Sequence, residues 1–382
     1  MNNWKEVSLK DYCKTQYGYT ASATDNNTGV KFVRITDIVP DFVDWNKVPY
    51  CEISEKDLKK YKLNEGDIVA ARTGATVGYA KQIRKGSPDA VFASYLVKLI
   101  PSEEVDKHFL GVLIESNVYR EFIQIIAGGS AQPNANANDL TLFKFFLPPV
   151  PTQQRIASIL SAYDDLIEVN NQRIKLLEET ARELYKEWFV RLRFPGYKKA
   201  KFVKGVPEGI GKVKYFKDFI KLNRGFDLPE EKIKEGNYPV IASTSIKGYH
   251  NQFKVKSPII TTGRSGTLGT VLFVNQDGWP LNTSLYVKDF KGNEPLYVYY
   301  TLKLLDFESF NSGAGVPTLN QNHLHKLKMW VADESLQKKF KLMVEPMFQK
   351  VEILRQQNIQ LRQIRDRLLP RLISGKLEVK EK

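Results

Sequence analysis

Two long stretches of the chain carry apolar residues at alternating spacings of four and three. The first covers residues 156–188, and the second contains Leu354, Leu361 and Leu368, which lie seven residues apart. These spacings place the apolar side chains along one face of an α-helix, and a seam held over several heptads is typical of a coiled coil. We therefore expect two helices of ~40 residues, each spanning ~60 Å.

The seam of each helix gives its predicted contact residues. They are Leu160, Tyr163, Ile167, Ile174, Leu177 and Leu184 in the first helix, and Leu354, Leu361 and Leu368 in the second. Each seam also contains one asparagine, Asn170 or Asn358. A buried asparagine would fix the register or direction of pairing at a cost in stability, whereas one at a solvated edge would not. Both alternatives are open at this point. Pro346 is expected to kink the second helix or to make it start afresh.

The two predicted helices carry net charges of opposite sign. Residues 151–190 contain five basic and seven acidic side chains, whereas residues 335–375 contain nine basic and three acidic ones. Opposite net charges favour pairing of these two helices with each other. Because the sequence offers no other heptad repeat as a partner, we predict one intramolecular, antiparallel coiled coil.

The segments outside the two helices show a repeated succession of strand and helix patterns. In the first half, strand patterns lie at residues 30–35, 68–71 and 90–100, and a helical pattern lies at 106–126. In the second half, strand patterns lie at residues 239–242, 258–261 and 271–274, and a helical pattern lies at 296–307. We therefore predict an α+β protein with two mixed, mostly β domains that are joined by the two long helices.

Landmarks of the first half recur in the second half. A glycine turn behind an arginine occurs at residues 72–78 and 264–269, and a glycine-to-proline loop occurs at 129–133 and 313–317. The prolines of the two loops lie 184 residues apart. This recurrence indicates that one unit of domain plus helix has been duplicated, which predicts an internal pseudo-two-fold repeat. Such a protein suits a ligand of two-fold-like geometry, and duplex DNA is the commonest ligand of that kind.

Composition narrows the class of protein. The chain has 382 residues, of which 42% are hydrophobic, as expected for two or three folded domains. No apolar run approaches the ~18 residues that span a bilayer, and residues 1–6 do not resemble a signal peptide. Cys13 and Cys51 are too few for a disulfide framework and cannot form a structural zinc site alone. We therefore expect a cytoplasmic protein without a membrane partner.

Charge points to a polyanionic partner. The formal net charge is +14, and residues 191–221 hold ten basic against two acidic side chains. An excess of this size favours binding to nucleic acid through counterion release, although a merely basic surface is the alternative. The local density within a segment rich in Gly and Pro suggests a surface that faces phosphates.

Loops near the strand patterns carry small polar side chains beside cations. Arginine binds guanine and asparagine or glutamine binds adenine through two hydrogen bonds, and Ser or Thr suits phosphates. The alternative is that each loop is an ordinary polar turn. The predicted DNA-contacting residues are Arg34, Thr36, Arg72, Thr73, Thr76, Ser130, Gln132 and Asn134 in the first domain, and Ser243, Thr244, Ser245, Thr262, Arg264, Ser265, Thr267, Asn282 and Thr283 in the second.

Motifs for catalysis are scarce in the sequence. It contains neither a phosphate-binding P-loop nor a dinucleotide-binding glycine motif, and it lacks the Asn-Pro-Pro-aromatic motif of amino-methyltransferases. Asp41, Asp57 and Lys59 satisfy a loose nuclease pattern that a chain with 43 acidic residues will match by chance. We therefore predict no catalytic residue and no metal ligand. A self-contained DNA nuclease with a recognition module and a coiled-coil protein scaffold stay open as alternatives.

Several segments together resemble the specificity subunits of type I restriction–modification systems. Residues 149–160 match the central helical region of that family, and residues 368–377 match the end of its distal region. Residues 128–134 match the loop that closes a target-recognition domain, and residues 67–74 match an internal segment. The resemblance covers essentially the whole chain and keeps the family's order of parts.

The resemblance implies a division of the chain into functional parts. They are a first target-recognition domain (1–150), a central spacer helix (151–192), a second target-recognition domain (193–333) with a basic linker (193–212), a distal spacer helix (334–375) and a tail (376–382). Each domain would read one half of a bipartite site on double-stranded DNA. The paired helices would set the spacer between the two halves.

The resemblance also implies partner proteins. Two modification subunits, which methylate adenine with S-adenosylmethionine, would dock on this chain, and restriction subunits would join them to cleave DNA with ATP and magnesium. None of these cofactors is expected on this chain, which would be non-catalytic. Helix faces away from the seam, such as those with Arg173 and Glu187, are the expected docking surfaces.

Overall fold

The computed structural model of the protein describes residues 4–128, 133–313, 317–319 and 321–379. The chain divides into two units. Unit 1 comprises residues 1–172 and 354–382, and unit 2 comprises residues 173–353. Each unit therefore contains one segment from each of the two predicted helical stretches.

Unit 1 contains the elements of the first predicted domain. Its strands are β1 (Lys5–Ser8), β2 (Cys13–Tyr17), β3 (Lys31–Val33), β4 (Ile68–Ala71), β5 (Ala80–Gln82), β6 (Ala90–Phe92), β7 (Leu96–Pro101) and β8 (Lys144–Leu147). Its helices are α1 (Ile35–Ile38), α2 (Glu55–Tyr61), α3 (Lys107–Ile114), α4 (Asn117–Ala127) and the first part of α5 (Val150–Tyr185).

The strands of unit 1 form three sheets. A four-stranded antiparallel sheet has the order β2-β7-β4-β5. Strands β3 and β6 pair in parallel, and β1 pairs with β8 antiparallel. Because β3 and β6 are parallel, both strands end at the same edge of their sheet.

Unit 2 contains the elements of the second predicted domain. Its strands are β9 (Phe202–Val203), β10 (Val206–Pro207), β11 (Gly211–Tyr215), β12 (Lys221–Arg224), β13 (Tyr238–Ile241), β14 (Ile246–His250), β15 (Ile259–Gly263), β16 (Val271–Val274), β17 (Trp279–Pro280), β18 (Ser284–Asp289) and β19 (Lys328–Ala332). Its helices include α6 (Phe216–Phe219), α7 (Pro295–Leu304) and α8 (Gln321–His325), and α9 (Glu334–Ile373) begins in it.

The strand order of unit 2 repeats that of unit 1. A four-stranded antiparallel sheet has the order β12-β18-β15-β16, β13 pairs with β17 in parallel, and β11 pairs with β19 antiparallel. Strand β14, which pairs with β13, and the β9–β10 hairpin are additions. The α+β class and the internal repeat that the sequence predicts are confirmed.

Two local predictions need correction. The helical pattern at residues 106–126 is two helices, because the Ser116 side chain caps α4 by accepting a hydrogen bond from the Tyr119 N–H at 3.2 Å. The strand predicted at residues 30–35 ends at Val33, because Arg34 is the N-cap of α1. In both places a local polar contact to the backbone overrides the apolar pattern.

The paired helices run antiparallel. In unit 1, the Asn170 side-chain amide donates to the Asn358 side-chain carbonyl at 2.9 Å, and Arg365 lies 2.5 Å from the carboxylate of Asp164. Residue numbers therefore fall along α9 as they rise along α5. Asn170 is 6% exposed and Asn358 is 2% exposed, so both asparagines are buried, and Asn358 also donates to Asn171. The solvated-edge alternative is wrong.

The predicted seam residues are buried to different depths. Leu160, Ile167 and Leu354 are buried, and the other members are half-buried: Tyr163, Ile174, Leu177, Leu184, Leu361 and Leu368. Helix α9 does not start afresh at Pro346 but continues from Glu334 to Ile373. The carbonyl that Pro346 leaves without an N–H partner belongs to Leu342, which is 71% exposed and can hydrogen-bond to water.

Each long helix begins with a buried glutamine that fastens it to its unit. Gln153 accepts a hydrogen bond from the Asp106 N–H at 2.8 Å and donates to the Pro148 carbonyl at 2.7 Å. Gln337 accepts from the Glu294 N–H at 2.9 Å and donates to the Ala332 carbonyl at 2.8 Å. Because the same bonds recur at the start of α3 and α7, the duplication includes the joint between domain and helix.

We predict that Asn358→Leu lowers the free energy of unfolding by about 1–3 kcal/mol, because it leaves the buried amide of Asn170 without its partner. The double variant Asn170→Leu/Asn358→Leu removes both polar groups and should recover most of that loss. Urea denaturation of the full chain measures both values. A single variant with unchanged stability, or a double variant whose loss equals the sum of the two single losses, would contradict this account.

Candidate nucleic-acid interface

Polar loops meet at one sheet edge in unit 1. Strands β3 and β6 are parallel, and they are followed at the same edge by Arg34 and by residues 93–95. Arg72 follows β4, and its N–H donates to the Tyr95 carbonyl at 3.2 Å. Loops from three strands are therefore held together, although they lie far apart in the sequence.

A fourth loop is fastened to this edge by main-chain contacts that we call the loop clamp. The Gly74 N–H donates to the Pro133 carbonyl at 2.9 Å, and the Ala135 N–H donates to the Arg72 carbonyl at 2.8 Å. Thr73 and Asn134 lie opposite each other in an antiparallel bridge. The arginine–glycine turn and the glycine-to-proline loop, which the sequence analysis singled out separately, thus form one surface.

Unit 2 has the same loop clamp. The Gly266 N–H donates to the Pro317 carbonyl at 3.0 Å, and the Leu319 N–H donates to the Arg264 carbonyl at 2.9 Å. Ser265 and Thr318 form the corresponding bridge. The Arg264 N–H donates to the Thr283 carbonyl at 2.9 Å, as Arg72 does to Tyr95. The duplication has therefore kept the main-chain frame of this edge.

A glycine without room for a side chain completes each frame. A Cβ on Gly18 would lie 2.1 Å from the carbonyl oxygen of Ala93, and one on Gly225 would lie 2.2 Å from that of Leu281. The clash is with backbone atoms, so only glycine fits. This close approach places the preceding residues, Tyr17 and Arg224, beside the loops of their own unit.

Arg72 offers a cation without an acidic neighbour. Its guanidinium carbon lies 5.2 Å from the centroid of the Tyr17 ring, and its buried Nε has no hydrogen-bond partner among the described residues. Among the residues that the structure describes, Arg72 forms no ion pair. Tyr17 is 46% exposed and Tyr95 is 59% exposed. An unneutralised arginine beside an exposed aromatic ring suits contact with bases and phosphates.

The corresponding edge of unit 2 has different side-chain chemistry. The Arg264 Nε–H donates to the Asn282 carbonyl at 3.0 Å, and the Asn282 side-chain amide donates to the carboxylate of Asp227. Arg224 and Asp227 are exposed. This edge therefore presents a carboxylate and an amide where unit 1 presents tyrosines. The two edges can recognise different base patterns.

Several other predicted residues lie on these edges. Arg34 is engaged with Asp37, whose hydrogen bond to the guanidinium raises the pKa of Arg34. The remaining residues of this group are at least partly exposed: Thr36, Thr73, Thr76, Asn134, Ser243, Thr244, Ser245, Ser265, Thr267, Asn282 and Thr283. Residues 243–245 follow β13, which is parallel to β17, so they share the edge with residues 281–283.

Among the described residues, one predicted residue does not reach these edges. Thr262 is 1% exposed within β15, and its hydroxyl has no hydrogen-bond partner among the described residues, so the structure does not bring it to the surface. Ser130 and Gln132 lie outside the described residues. Four residues of these edges were not predicted from the sequence: Tyr17, Tyr95, Arg224 and Asp227. Two of them, Tyr17 and Arg224, directly precede Gly18 and Gly225, which occupy equivalent places in the two units. The recurrence of these glycines was a signal for both residues.

The residues of the nuclease pattern have structural partners. Asp41 forms an ion pair with Arg362, and Asp57 accepts a hydrogen bond from the Ser54 hydroxyl at 2.8 Å at the start of α2. Lys59 is exposed on α2. Within residues 4–128, 133–313, 317–319 and 321–379, no group of three or more His, Cys, Asp or Glu side chains is placed to hold a metal ion.

The cysteines are unsuited to nucleophilic chemistry. Burial raises the pKa of the Cys13 thiol to about 12 and also raises the pKa of Cys51. A thiol with a raised pKa is protonated at neutral pH and is a poor nucleophile.

In the described part of the chain, no helix combines the length and apolarity needed to cross a bilayer.

Comparison with known proteins places the chain in a family. The model of the type I restriction modification DNA specificity domain matches residues 1–179 and again residues 211–363. The type I restriction enzyme MjaIX specificity subunit of Methanocaldococcus jannaschii is 28% identical over 313 residues, which cover 74% of this chain and 72% of that protein. The HindI specificity subunit of Haemophilus influenzae is 29% identical over 198 residues, which cover 50% of this chain and 41% of that protein.

A solved structure supports the fold. The crystal structure of a type I restriction–modification S subunit from M. genitalium has a TM-score of 0.61 at 18% identity and covers 100% of this chain and 98% of that one. At this identity the likeness concerns the fold alone. The family model, by contrast, matches well over half of the chain in two successive copies. The chain belongs to the family of type I restriction–modification DNA specificity subunits.

Proposed function

We propose that the two loop-clamp edges are the base-reading surfaces of this subunit, and that each reads one half of a bipartite site on double-stranded DNA. The recurrence of the loop clamp in both units, with different side chains on it, carries this proposal. A conserved frame with varied side chains is expected of two readers for two different sequences. We assign to α5 and α9 the role of setting the length of DNA between the two half-sites.

We further propose that catalysis belongs to partner subunits. Two modification subunits would supply S-adenosylmethionine and adenine methylation, and restriction subunits would supply ATP- and Mg²⁺-dependent cleavage. This chain would bind none of these cofactors itself. Its two free cysteines suit the reducing cytoplasm, as does its proposed ligand, double-stranded DNA.

Exposed apolar residues on the long helices suit protein docking. In unit 1, Leu166, Val169 and Ile364 are exposed, and in unit 2, Leu176 and Ile353 are exposed. Apolar side chains outside the seam gain little from the intramolecular pairing, so we assign them to docking of the modification subunits. Of the two residues expected there, Arg173 is exposed, whereas Glu187 forms an ion pair with Arg191.

The test is to map methylated adenines in the genome of a host that expresses this chain with its modification subunits. We expect methylation within one bipartite, asymmetric sequence with a spacer of constant length, and none when this chain is omitted. Methylation that is independent of this chain, or a single uninterrupted motif, would contradict the proposal. As a control for the nuclease alternative, the purified chain with magnesium should leave DNA uncut, with or without Asp57→Ala.

A further inference from the structure

The start of unit 2 carries a basic segment whose first part, residues 191–210, lies between the two matches of the family model. The first match of the family model ends at residue 179, and the second match begins at residue 211. Residues 191–221 hold ten basic and two acidic side chains, a local net charge of +8 in a chain of net charge +14. This segment therefore contributes more than half of the excess positive charge, and the base-reading edges do not account for it.

A protruding hairpin presents part of this charge. Strands β9 and β10 pair antiparallel, and the ion pair between Lys201 and Glu208, at 3.1 Å, closes the open end. Lys204 and Gly205 form the turn with φ values of 52° and 81°, both in the left-handed region that two-residue hairpin turns of type I′ require. The turn places the exposed Lys204 at the tip of the hairpin.

The cations between residues 191 and 204 fall into a paired group, which includes Lys201, and an unpaired group. Arg191 and Arg193 form ion pairs with Glu187, so their charge is locally neutralised. Lys198, Lys199 and Lys204 are exposed and have no acidic partner among the described residues. These three lysines form one uncompensated positive group on and beside the hairpin.

A second uncompensated group comprises Lys217 on α6 and Lys328 at the start of β19. Tyr215 is paired with Lys328 across the strands, and the ammonium groups of Lys217 and Lys328 lie 5.6 and 5.3 Å from the centroid of its exposed ring. Neither lysine forms an ion pair within the part of the chain that the structure describes. Two like charges gathered on one ring repel each other, so an anion bound there would be stabilised by both.

We propose that Lys198, Lys199, Lys204, Lys217 and Lys328, here called the basic surface, bind the phosphate backbone of duplex DNA outside the base-reading edges. Charge complementarity carries this assignment. Lysine is a compact point charge that suits phosphates, and it lacks the planar fork with which arginine reads guanine. The basic surface would therefore add affinity without adding sequence preference. The inference rests on the proposed function, since it requires that the chain binds DNA.

The test compares the salt dependence of DNA binding for the wild-type complex and two variants. The variants are Lys198→Ala/Lys199→Ala/Lys204→Ala and Lys217→Ala/Lys328→Ala, each in the full chain with its partner subunits. Each lost phosphate contact should reduce the slope of log K against log salt by about 0.9, hence by about 2.7 for the triple variant. Between 50 and 200 mM salt its affinity should therefore fall about 40-fold less than that of the wild type. The ratio of target to non-target affinity should stay constant.

Lys232→Ala/Lys234→Ala is the matched control, because it removes two exposed lysines of unit 2 that lie among Glu230, Glu231 and Glu235. Its slope should equal that of the wild type. Unchanged slopes in both test variants would overturn the proposal. So would a loss confined to target DNA, which would make these lysines base readers, or weakened subunit assembly with unchanged DNA binding, which would assign the surface to a protein. Failure of the wild type to prefer any sequence would instead refute the proposed function.

Discussion

The variant Phe340→Ala should lower the free energy of unfolding of unit 2 by about 3–5 kcal/mol. Phe340 is fully buried, and its ring centroid lies 5.2 Å from that of Phe189 and 5.7 Å from that of Tyr185. Tyr185 is itself fixed by a hydrogen bond of 2.8 Å to the Thr301 hydroxyl. Rings held in this way cannot collapse into the space that alanine leaves, so the cavity should persist.

Peptide-resolved hydrogen exchange on the full chain is the suitable measurement, because it separates opening of unit 2 from opening of unit 1. Exchange should accelerate in α7 and in the first half of α9. Leu342→Ala is the control on the same helix, and because Leu342 is exposed its effect should stay below about 0.5 kcal/mol. A loss below about 1 kcal/mol for Phe340→Ala would mean that the aromatic cluster relaxes around the cavity.

The second large effect concerns DNA recognition. Arg72→Ala should weaken the base preference within one half-site by about 1–3 kcal/mol, roughly 5- to 150-fold, and leave the preference in the other half-site unchanged. The reason is that Arg72 is partly exposed and has no acidic partner among the described residues, so its positive charge is available to a base or phosphate. Binding of the complex to duplexes with single base changes in each half-site measures the effect.

Two further variants make this test specific. Arg72→Lys keeps the positive charge but loses the planar fork, so it should behave like Arg72→Ala if the contact is to guanine. Arg264→Ala should relax preference in the opposite half-site. The loss of preference in the two variants can be compared directly, because Arg264 occupies the equivalent place in the loop clamp of unit 2. An equal loss on all sequences would make Arg72 a phosphate contact, and full rescue by lysine would support the same conclusion.

The sequence predicted the parts of the fold that depend on local periodicity. The seams of α5 and α9, strand β4 and the duplication follow from spacing and recurrence, and the pairing of the helices follows from their charges. Local exceptions arose where one polar side chain decides the backbone path. Ser116 divides one predicted helix in two, and Arg34 ends a predicted strand.

The candidate site could be predicted only in part, because its contacts are long-range. The sequence places Arg72 and Asn134 on loops, but nothing in their spacing shows that Thr73 and Asn134 bridge. Tyr17 reaches Arg72 from a strand 55 residues earlier, and Asp227 reaches Asn282 from an equally distant loop. Thr262 lies in a polar stretch of sequence that resembles a loop, yet the pairing of β15 with β16 and β18 buries it.

Mutations should change the DNA sequence that this protein recognises far more easily than they prevent the protein from folding. The bonds of the loop clamp join amide and carbonyl groups, which positions 72, 73 and 134 retain whatever side chain they carry. Replacement of those side chains therefore alters recognition at little cost to the frame. Gly18 and Gly225 have no such latitude, since any larger residue would collide with a carbonyl. Among diverging relatives, positions 72, 73 and 134 should therefore vary rapidly, whereas Gly18 and Gly225 should stay glycine.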